Sequence, residues 1–316
     1  MINILFNRIK NYGFFRLVFG NINWLILHLI YKLTGKKYSI KKIFNYKMIL
    51  DITDLGLSKQ LIKYKEREMD HKVLLDMIIQ PGDHILDIGA NIGYYALMES
   101  KMIGSLGKVL AVEPSPSNIL LLKKNLSLNS ITNVDVVQGA ISDIDEVKEF
   151  YLSNESNLNT FHNYGTITKH LSGDVINVHT YNALSLFKSN GFLERIDLIR
   201  MDVEGHEVSV LSGLLEAIIN NEIAPKIIFE THLSRYNSEN DMVSVLESLF
   251  SAGYKTKYAA SSWEKGSEII EQRGYVPLET VKTDGVQRSI YSDIKNSDAI
   301  RFICTSGGLR TVVLSK

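Results

Sequence analysis

The chain has one cysteine, five prolines and no net charge in 316 residues. A lone Cys304 excludes an intramolecular disulfide and points to a reducing compartment, so the expected location is cytoplasmic. Its neighbours Phe302 and Ile303 mark it as a small core hydrophobe rather than a reactive thiol. Scarce proline with 45% apolar residues excludes a disordered chain. Lysine plus arginine and aspartate plus glutamate stand at 35 each, which gives no electrostatic reason to expect a nucleic-acid partner. No internal repeat or low-complexity tract is present.

The segment Phe14 to Leu33 is rich in large apolar residues but is interrupted by Arg16, Asn21, Asn23 and His28, so it reads as short of a spanning helix. It lacks the small-residue cleavage pattern of a signal peptide. Lys32, Lys36, Lys37, Lys41 and Lys42 follow it. The leading expectation is a helix packed on the main domain or on a second copy of the chain, forming a homodimer. The competing one is peripheral membrane contact through residues 1–42.

Tyr46 to Asp51 reads as a strand, Leu55 to Tyr64 as a helix or turn, and Glu68 to Ile79 as a helix from the spacing of Val73, Leu74, Met77 and Ile78. Pro81-Gly82-Asp83 breaks the chain. Strands His84–Ile88, Lys108–Val112 and Val134–Gln138 then alternate with helices Gly93–Met102 and Ser115–Asn129, the signature of a parallel, doubly wound α/β sheet. Ile196–Met201 and Lys226–Glu230 read as further strands around a helix Glu207–Asn220, and Asp241–Ala252 as a helix. Tyr254–Tyr258 and Arg310–Leu314 close the sheet as a hairpin-like pair. Ser153 to Thr180 and Ala260 to Lys295 read as loops that set acceptor specificity. The division expected is an extension, residues 1–67, helical and then a short strand, before a sheet domain, 68–316.

The strongest local signal is Asp87-x-Gly89-x-Asn91-x-Gly93 at a strand-to-helix turn, where open parallel sheets bind ligands. The pattern is not Gly-x-Gly-x-x-Gly. Ala96 stands where a third glycine would, and Asn91 replaces the middle one, a residue that tolerates positive φ. Fewer glycines disfavour a pyrophosphate on the helix terminus. S-adenosylmethionine carries no phosphate, and its ammonium and sulfonium suit an acid such as Asp87. Glu113 ends the second strand twenty residues after Gly93, placed to grip two ribose hydroxyls. Gly139-Ala140-Ile141 follows the third strand, with Ala140 at the adenine position. The cofactor set is thus Asp87, Gly89, Asn91, Gly93, Glu113, Ala140 and Asp202.

Three stretches resemble the FkbM-type methyltransferases: Leu86–Tyr95, then Val112-Glu113-Pro114-Ser115 with Leu122-Lys123-Lys124-Asn125, then Ile196–Glu207 containing Asp202-Val203-Glu204-Gly205. The likeness spans roughly Glu68 to Glu230. It implies a Rossmann-like class I methyltransferase sheet, mostly parallel, with seven strands and the last antiparallel, behind a mainly helical N-terminal extension. It also implies methyl transfer from S-adenosylmethionine, usually to a hydroxyl of a sugar, glycolipid or polyketide. Two departures stand out. Thr180-Tyr181-Asn182-Ala183 replaces the family's Thr-Leu-Asp-Asp stretch, and Arg200 replaces its lysine.

Asp202, Glu204, His206 and Glu207 crowd the end of the fourth strand, and Glu230 and His232 that of the fifth. Oxygen methylation requires a positioned hydroxyl and a group that takes its proton. His232 and His206 are the candidate bases, with Asp202 and Glu230 orienting base or substrate. For His206 a turn-shaping role outweighs catalysis, and Glu207 suits the positive end of the helix it begins. No metal set has diagnostic spacing, although Asp202, Glu230 and His232 are an alternative site for a divalent cation. The acceptor expected is a small molecule or glycan. The competing functions are a nicotinamide-dependent oxidoreductase and a non-catalytic docking protein.

Overall fold

The computed structural model describes residues 11–162, 171–192 and 195–316. The extension begins with a long helix, α1 (Phe14–Thr34), ended by Gly35 in a left-handed conformation. A hairpin follows, β1 (Tyr38–Ile43) against β2 (Tyr46–Asp51), then helices α2 (Leu57–Tyr64) and α3 (Met69–Ile78). Only β2 of this hairpin was legible in the sequence. The burial of β2 alternates, so Tyr46, Met48 and Leu50 face inward.

The alternating α/β pattern then appears as expected. It runs β3 (His84–Ile88), α4 (Tyr94–Ile103), β4 (Lys108–Glu113), α5 (Pro116–Leu128) and β5 (Val134–Gln138). Next come β6 (Ala140–Ser142), β7 (Glu146–Ser153), β8 (Leu171–Asn182) and α6 (Ala183–Asn190). The chain continues through β9 (Leu198–Met201), α7 (Glu207–Ile219), β10 (Lys226–Glu230), α8 (Met242–Ser251) and β11 (Lys255–Ser261). It closes with α9 (Glu264–Glu271), β12 (Glu279–Thr283), β13 (Val286–Ile294), α10 (Asn296–Cys304) and β14 (Leu309–Ser315).

The main sheet has the order β12-β13-β11-β14-β10-β9-β3-β4-β5. Strands β5, β4, β3, β9 and β10 are mutually parallel. The last strand, β14, inserts antiparallel between β10 and β11. These seven strands are the class I methyltransferase arrangement, with the final strand antiparallel as expected.

Two expectations are corrected. Among the described residues the sheet has nine strands, because Ala260 to Lys295 is no loop but carries α9 and the antiparallel pair β12 and β13. In β13, Ile290, Tyr291 and Ile294 are buried among polar neighbours, so the polar composition concealed the strand. Likewise Ser153 to Thr180 is not simply a loop. Its described end belongs to β8, which joins β6 and β7 in a separate three-stranded sheet. Residues 163–170, within the same expectation, lie outside the described residues.

Apolar side chains alternate across the main sheet and feed two cores. Leu86, Ile88, Leu110, Met201 and Phe229 pack with α6, α7, α8 and α10. Ile85, Val109, Ala111, Leu198 and Ile228 pack on the other face with α4, α5 and the extension, through Ile43, Met48, Leu50 and Leu61. The site lies where β3, β4 and β9 end together, with Ile88 opposite both Val112 and Met201.

Candidate active site

The Gly89–Gly93 turn is fastened to its neighbours by backbone. Gly89 N–H and Ala90 N–H donate to Val112 O at 2.9 and 3.1 Å. Gly89 has φ +79°, and a Cβ there would lie 2.3 Å from Asp202 O. The glycine therefore lets β3 and β9 finish side by side. Asn91 adopts φ 51°, the left-handed conformation its side chain tolerates. Its N–H donates to Glu113 Oε2 at 2.9 Å, while Glu113 Oε1 accepts from Ser115 N–H at 2.9 Å and Asn118 Nδ2 at 3.1 Å. Burial pushes the Glu113 carboxyl up to about 7 against these donors.

A cleft of about 510 Å³ opens here. Gly89, Asn91 and Glu113 line one side, Gly139 and Ala140 another, and Phe150 and Phe161 present aromatic rings. Asp202, Glu204 and His206 complete it, and no lysine or arginine is among its described lining residues. A strap from the small sheet crosses beside the turn. Ser156 O accepts from Asn91 Nδ2 at 2.9 Å, and Ser156 N–H donates to Asp54 Oδ1 at 2.9 Å.

Asp87 does not face this cleft. It is fully buried, and its Oδ1 accepts from Arg200 Nη1 at 3.0 Å. Arg200 also reaches Asp202 Oδ2 at 3.5 Å and lies 3.9 Å from the centre of the Tyr95 ring. The structure places Asp87, expected at the donor, outside this cleft: Asp87 holds Arg200, and Arg200, Asp202, Tyr95, Arg67 and Glu68 line an adjoining cavity. Behind them sits Glu99, fully buried, whose carboxyl is raised well above its ordinary value by burial and by Asp87.

The acids at the ends of β9 and β10 form a connected set. Glu204 has φ 51° and Gly205 φ +102°, so Asp202-Val203-Glu204-Gly205 is a tight turn into α7. Glu207 Oε1 accepts from Gly205 N–H at 3.2 Å, as an acid at a helix start should. The same oxygen lies 2.9 Å from His232 Nδ1, and His232 Nε2 is 3.5 Å from Glu204 Oε2 and 3.9 Å from Glu230 Oε1. Despite burial, Glu207 first, then Glu204 and Glu230, raise the His232 pKa well above its ordinary value. Burial pushes Glu204 up to about 7 and Glu230 to about 8, the latter against Arg310, whose Nη1 is 2.7 Å from Glu230 Oε1. Arg310 also binds Glu68, which in turn accepts from Tyr95 Oη at 2.7 Å.

His206 stands apart from His232. Its Nε2 is 3.2 Å from Ser142 Oγ, its ring lies 4.8 Å from that of Phe161, and burial lowers its pKa to about 4. Ligand atoms of Asp202, Glu204 and His232, and separately of Glu68, Asp202 and Glu230, fall within 4.8 Å of one another. Within these sets the charge is already opposed by the imidazole and by Arg310. Sequence reasoning missed Arg67, Glu68, Tyr95, Glu99 and Arg310. Each is fixed by tertiary contact, and of the five only Tyr95 sits in a motif, at the end of the Leu86–Tyr95 stretch. Asn182, in the departing stretch, caps α6 by accepting from Leu184 N–H at 3.0 Å.

The nine-stranded sheet with its strand-end cleft defines a Rossmann-like class I methyltransferase fold. The family model described as "Methyltransferase FkbM domain" matches residues 87–256, more than half of the chain, and the chain belongs to that family. The methyltransferase sdnD of Sordaria araneosa is 29% identical over 194 residues, covering 53% of this chain and 73% of its own. The ribosomal protein L11 methyltransferase of Acetivibrio thermocellus is 33% identical over 76 residues, 24% of each chain. A protein-L-isoaspartate O-methyltransferase of Methanococcus maripaludis is 36% identical over 64 residues, of which the chain spans 30%. The match therefore spans less than a third of the length of these last two relatives. The solved FkbM methyltransferase of Methylobacillus flagellatus aligns over 74% of this chain and 52% of its own, with 14% identity and a TM-score of 0.38.

The cleft fits the donor of this family, S-adenosylmethionine. Its described charged lining is acidic, and Asp202 Oδ1 is buried without a hydrogen-bond partner. A cationic ligand satisfies such an oxygen; a pyrophosphate does not.

Proposed function

We propose that the chain transfers a methyl group from S-adenosylmethionine to a hydroxyl of a sugar, glycolipid or related natural product. One observation carries the donor in this reading, an acid-lined cleft without lysine or arginine among its described lining at the ends of β3, β4 and β9, while the hydroxyl acceptor rests on the resemblance to the FkbM-type methyltransferases. That lining disfavours the nicotinamide alternative, whose pyrophosphate needs opposing charge or a glycine-rich helix start.

Glu113 and Asn91 would hold the ribose, Ala140, Phe150 and Phe161 the adenine, and Asp202, Glu68 and Arg67 the methionine end. When bound, the donor supplies a methyl carbon on a positively charged sulfur. Glu204 is the proton acceptor for the incoming hydroxyl, because it lines the cleft and its pKa of about 7 matches a base working at neutral pH. His232, held by Glu207, positions Glu204 and carries the positive charge that balances it once deprotonated. Asp202 and Glu230 orient acceptor and base.

Calorimetric titration with S-adenosylmethionine and with NAD, followed by methyl transfer to a panel of hydroxylated glycans, tests the reading. Binding of S-adenosylmethionine alone is expected. NAD binding without it would overturn the proposal. Transfer to nitrogen or carbon acceptors but not hydroxyls would overturn the oxygen assignment.

A further inference from the structure

Helix α1 is apolar on two opposite faces, and only one of them is covered. Leu17, Gly20 and Trp24 are buried against the extension, and a Cβ at Gly20 would lie 2.8 Å from Lys63 O. Arg16 donates to Tyr64 O, and Asn23 Nδ2 donates to Ile62 O at 3.0 Å. The uncovered face carries Phe15, Phe19, Ile22, Leu25, Leu29 and Leu33, three or four residues apart and between 45% and 76% exposed. That spacing makes one continuous stripe along nearly the whole 21-residue helix. An apolar stripe of this length on a water-facing surface has a partner.

Charge beside the stripe identifies it. A groove of about 970 Å³ runs along the helix, lined by Phe19 of the stripe together with Arg16, Lys41, Lys63 and Lys65. The one acid among its described lining residues, Glu66, is 2.7 Å from Arg16. Among the described residues no carboxylate pairs with Lys41 or Lys65, and Lys41 reaches only the Asn23 amide, at 3.3 Å. Exposed Lys32, Lys36 and Lys42 extend the cationic margin past the helix end. Apolar side chains bordered by cations match the boundary between acyl chains and anionic headgroups.

We propose that α1 docks the protein on a bilayer carrying anionic phosphate headgroups, with the helix lying in the interface plane and the Arg16–Lys41–Lys65 groove receiving headgroups. The length and composition of the helix also suit a crossing. Crossing would strip Leu17, Gly20 and Trp24 from their packing and break the Arg16 and Asn23 bonds, so the interfacial position wins. A second copy would cover the stripe but offers no reason for Lys41 and Lys65 to lack a carboxylate among the described residues.

The test is flotation of the full chain with vesicles of phosphatidylcholine alone, or mixed with phosphatidylglycerol at roughly three to one. Binding to the mixed vesicles is expected to be about tenfold or more tighter and to weaken with salt. F15S/F19S/L25S should abolish flotation while leaving the melting temperature and donor binding unchanged. K41Q/K65Q should remove most of the anionic preference. Three results would overturn the proposal: no flotation of the unaltered chain, flotation of the triple variant equal to it, or resistance to alkaline extraction from cell membranes, which marks a crossing helix. Concentration-dependent dimers abolished by the triple variant, without vesicle binding, would assign the stripe to a second copy instead.

Discussion

Glu207 Oε1 lies 2.9 Å from His232 Nδ1, with the glutamate fully buried and the imidazole nearly so. Burial opposes both charges, yet the pair settles as ions. The Glu207 pKa is lowered, with His232 and its hydrogen bond overcoming burial, and that of His232 is raised. The consequences for stability have definite signs. The proton on His232 stabilises the fold fully below its ordinary value of 6.5, and that stability is lost as pH rises through the raised folded value. Glu207 contributes above its ordinary 4.5 and is lost as pH falls through the lowered value. Urea titrations should therefore show stability falling as pH rises above 6.5, and H232Q should flatten that slope. An unchanged slope would mean that His232 is neutral in the fold.

Glu204 predicts the pH dependence of turnover. A carboxyl near 7 becomes a base only as pH rises through that value, so kcat should climb across neutrality. E204Q should lower kcat by roughly a hundredfold or more with little change in donor affinity. A variant with normal kcat would leave Glu204 as a turn residue.

Glu113 is expected to act on both binding and fold. It accepts two backbone N–H groups and one side-chain amide, so E113A leaves buried donors unsatisfied and should cost about 1–3 kcal/mol in denaturant titration. The same change should weaken S-adenosylmethionine binding by roughly tenfold or more. Unchanged calorimetric affinity would remove Glu113 from the donor site.

The sheet was legible because its strands are short apolar runs with one helix between each pair. His84–Ile88, Val134–Gln138 and Lys226–Glu230 appear with the expected limits. What escaped is what depends on distant contact. Strand β13 is half polar because Arg288 and Ser289 are buried against distant partners, Asp70 and Ser261, while Asp293 meets water. Glu113 and the Gly89 turn could be read from spacing, since strand and turn fix both. Glu68, Tyr95 and Arg310 could not: they meet from the residue before α3, from α4 and from β14, and Glu68 and Arg310 are 242 residues apart. Asp87 reads as a donor contact because the ammonium and sulfonium of S-adenosylmethionine suit a nearby acid. Arg200, a departure visible in the sequence, takes it instead.

That substitution sets the last prediction. Arg200 and Asp87 are 2% and 0% exposed, and behind them burial and then Asp87 raise the Glu99 carboxyl pKa. Removing the guanidinium alone leaves Asp87 buried without its cation. R200M should therefore cost about 3–5 kcal/mol in urea titration. D87L/R200M removes both charges with similar volume and should recover most of that loss. The two variants separate folding from function. If the pair only stabilises the sheet, the double variant should bind donor normally. If Arg200 also positions Asp202, which it reaches at 3.5 Å, the double variant should fold yet bind S-adenosylmethionine more weakly. We expect the second outcome, because Arg200 and Asp202 line the same cavity. Normal donor affinity in the stable double variant would confine Arg200 to the fold.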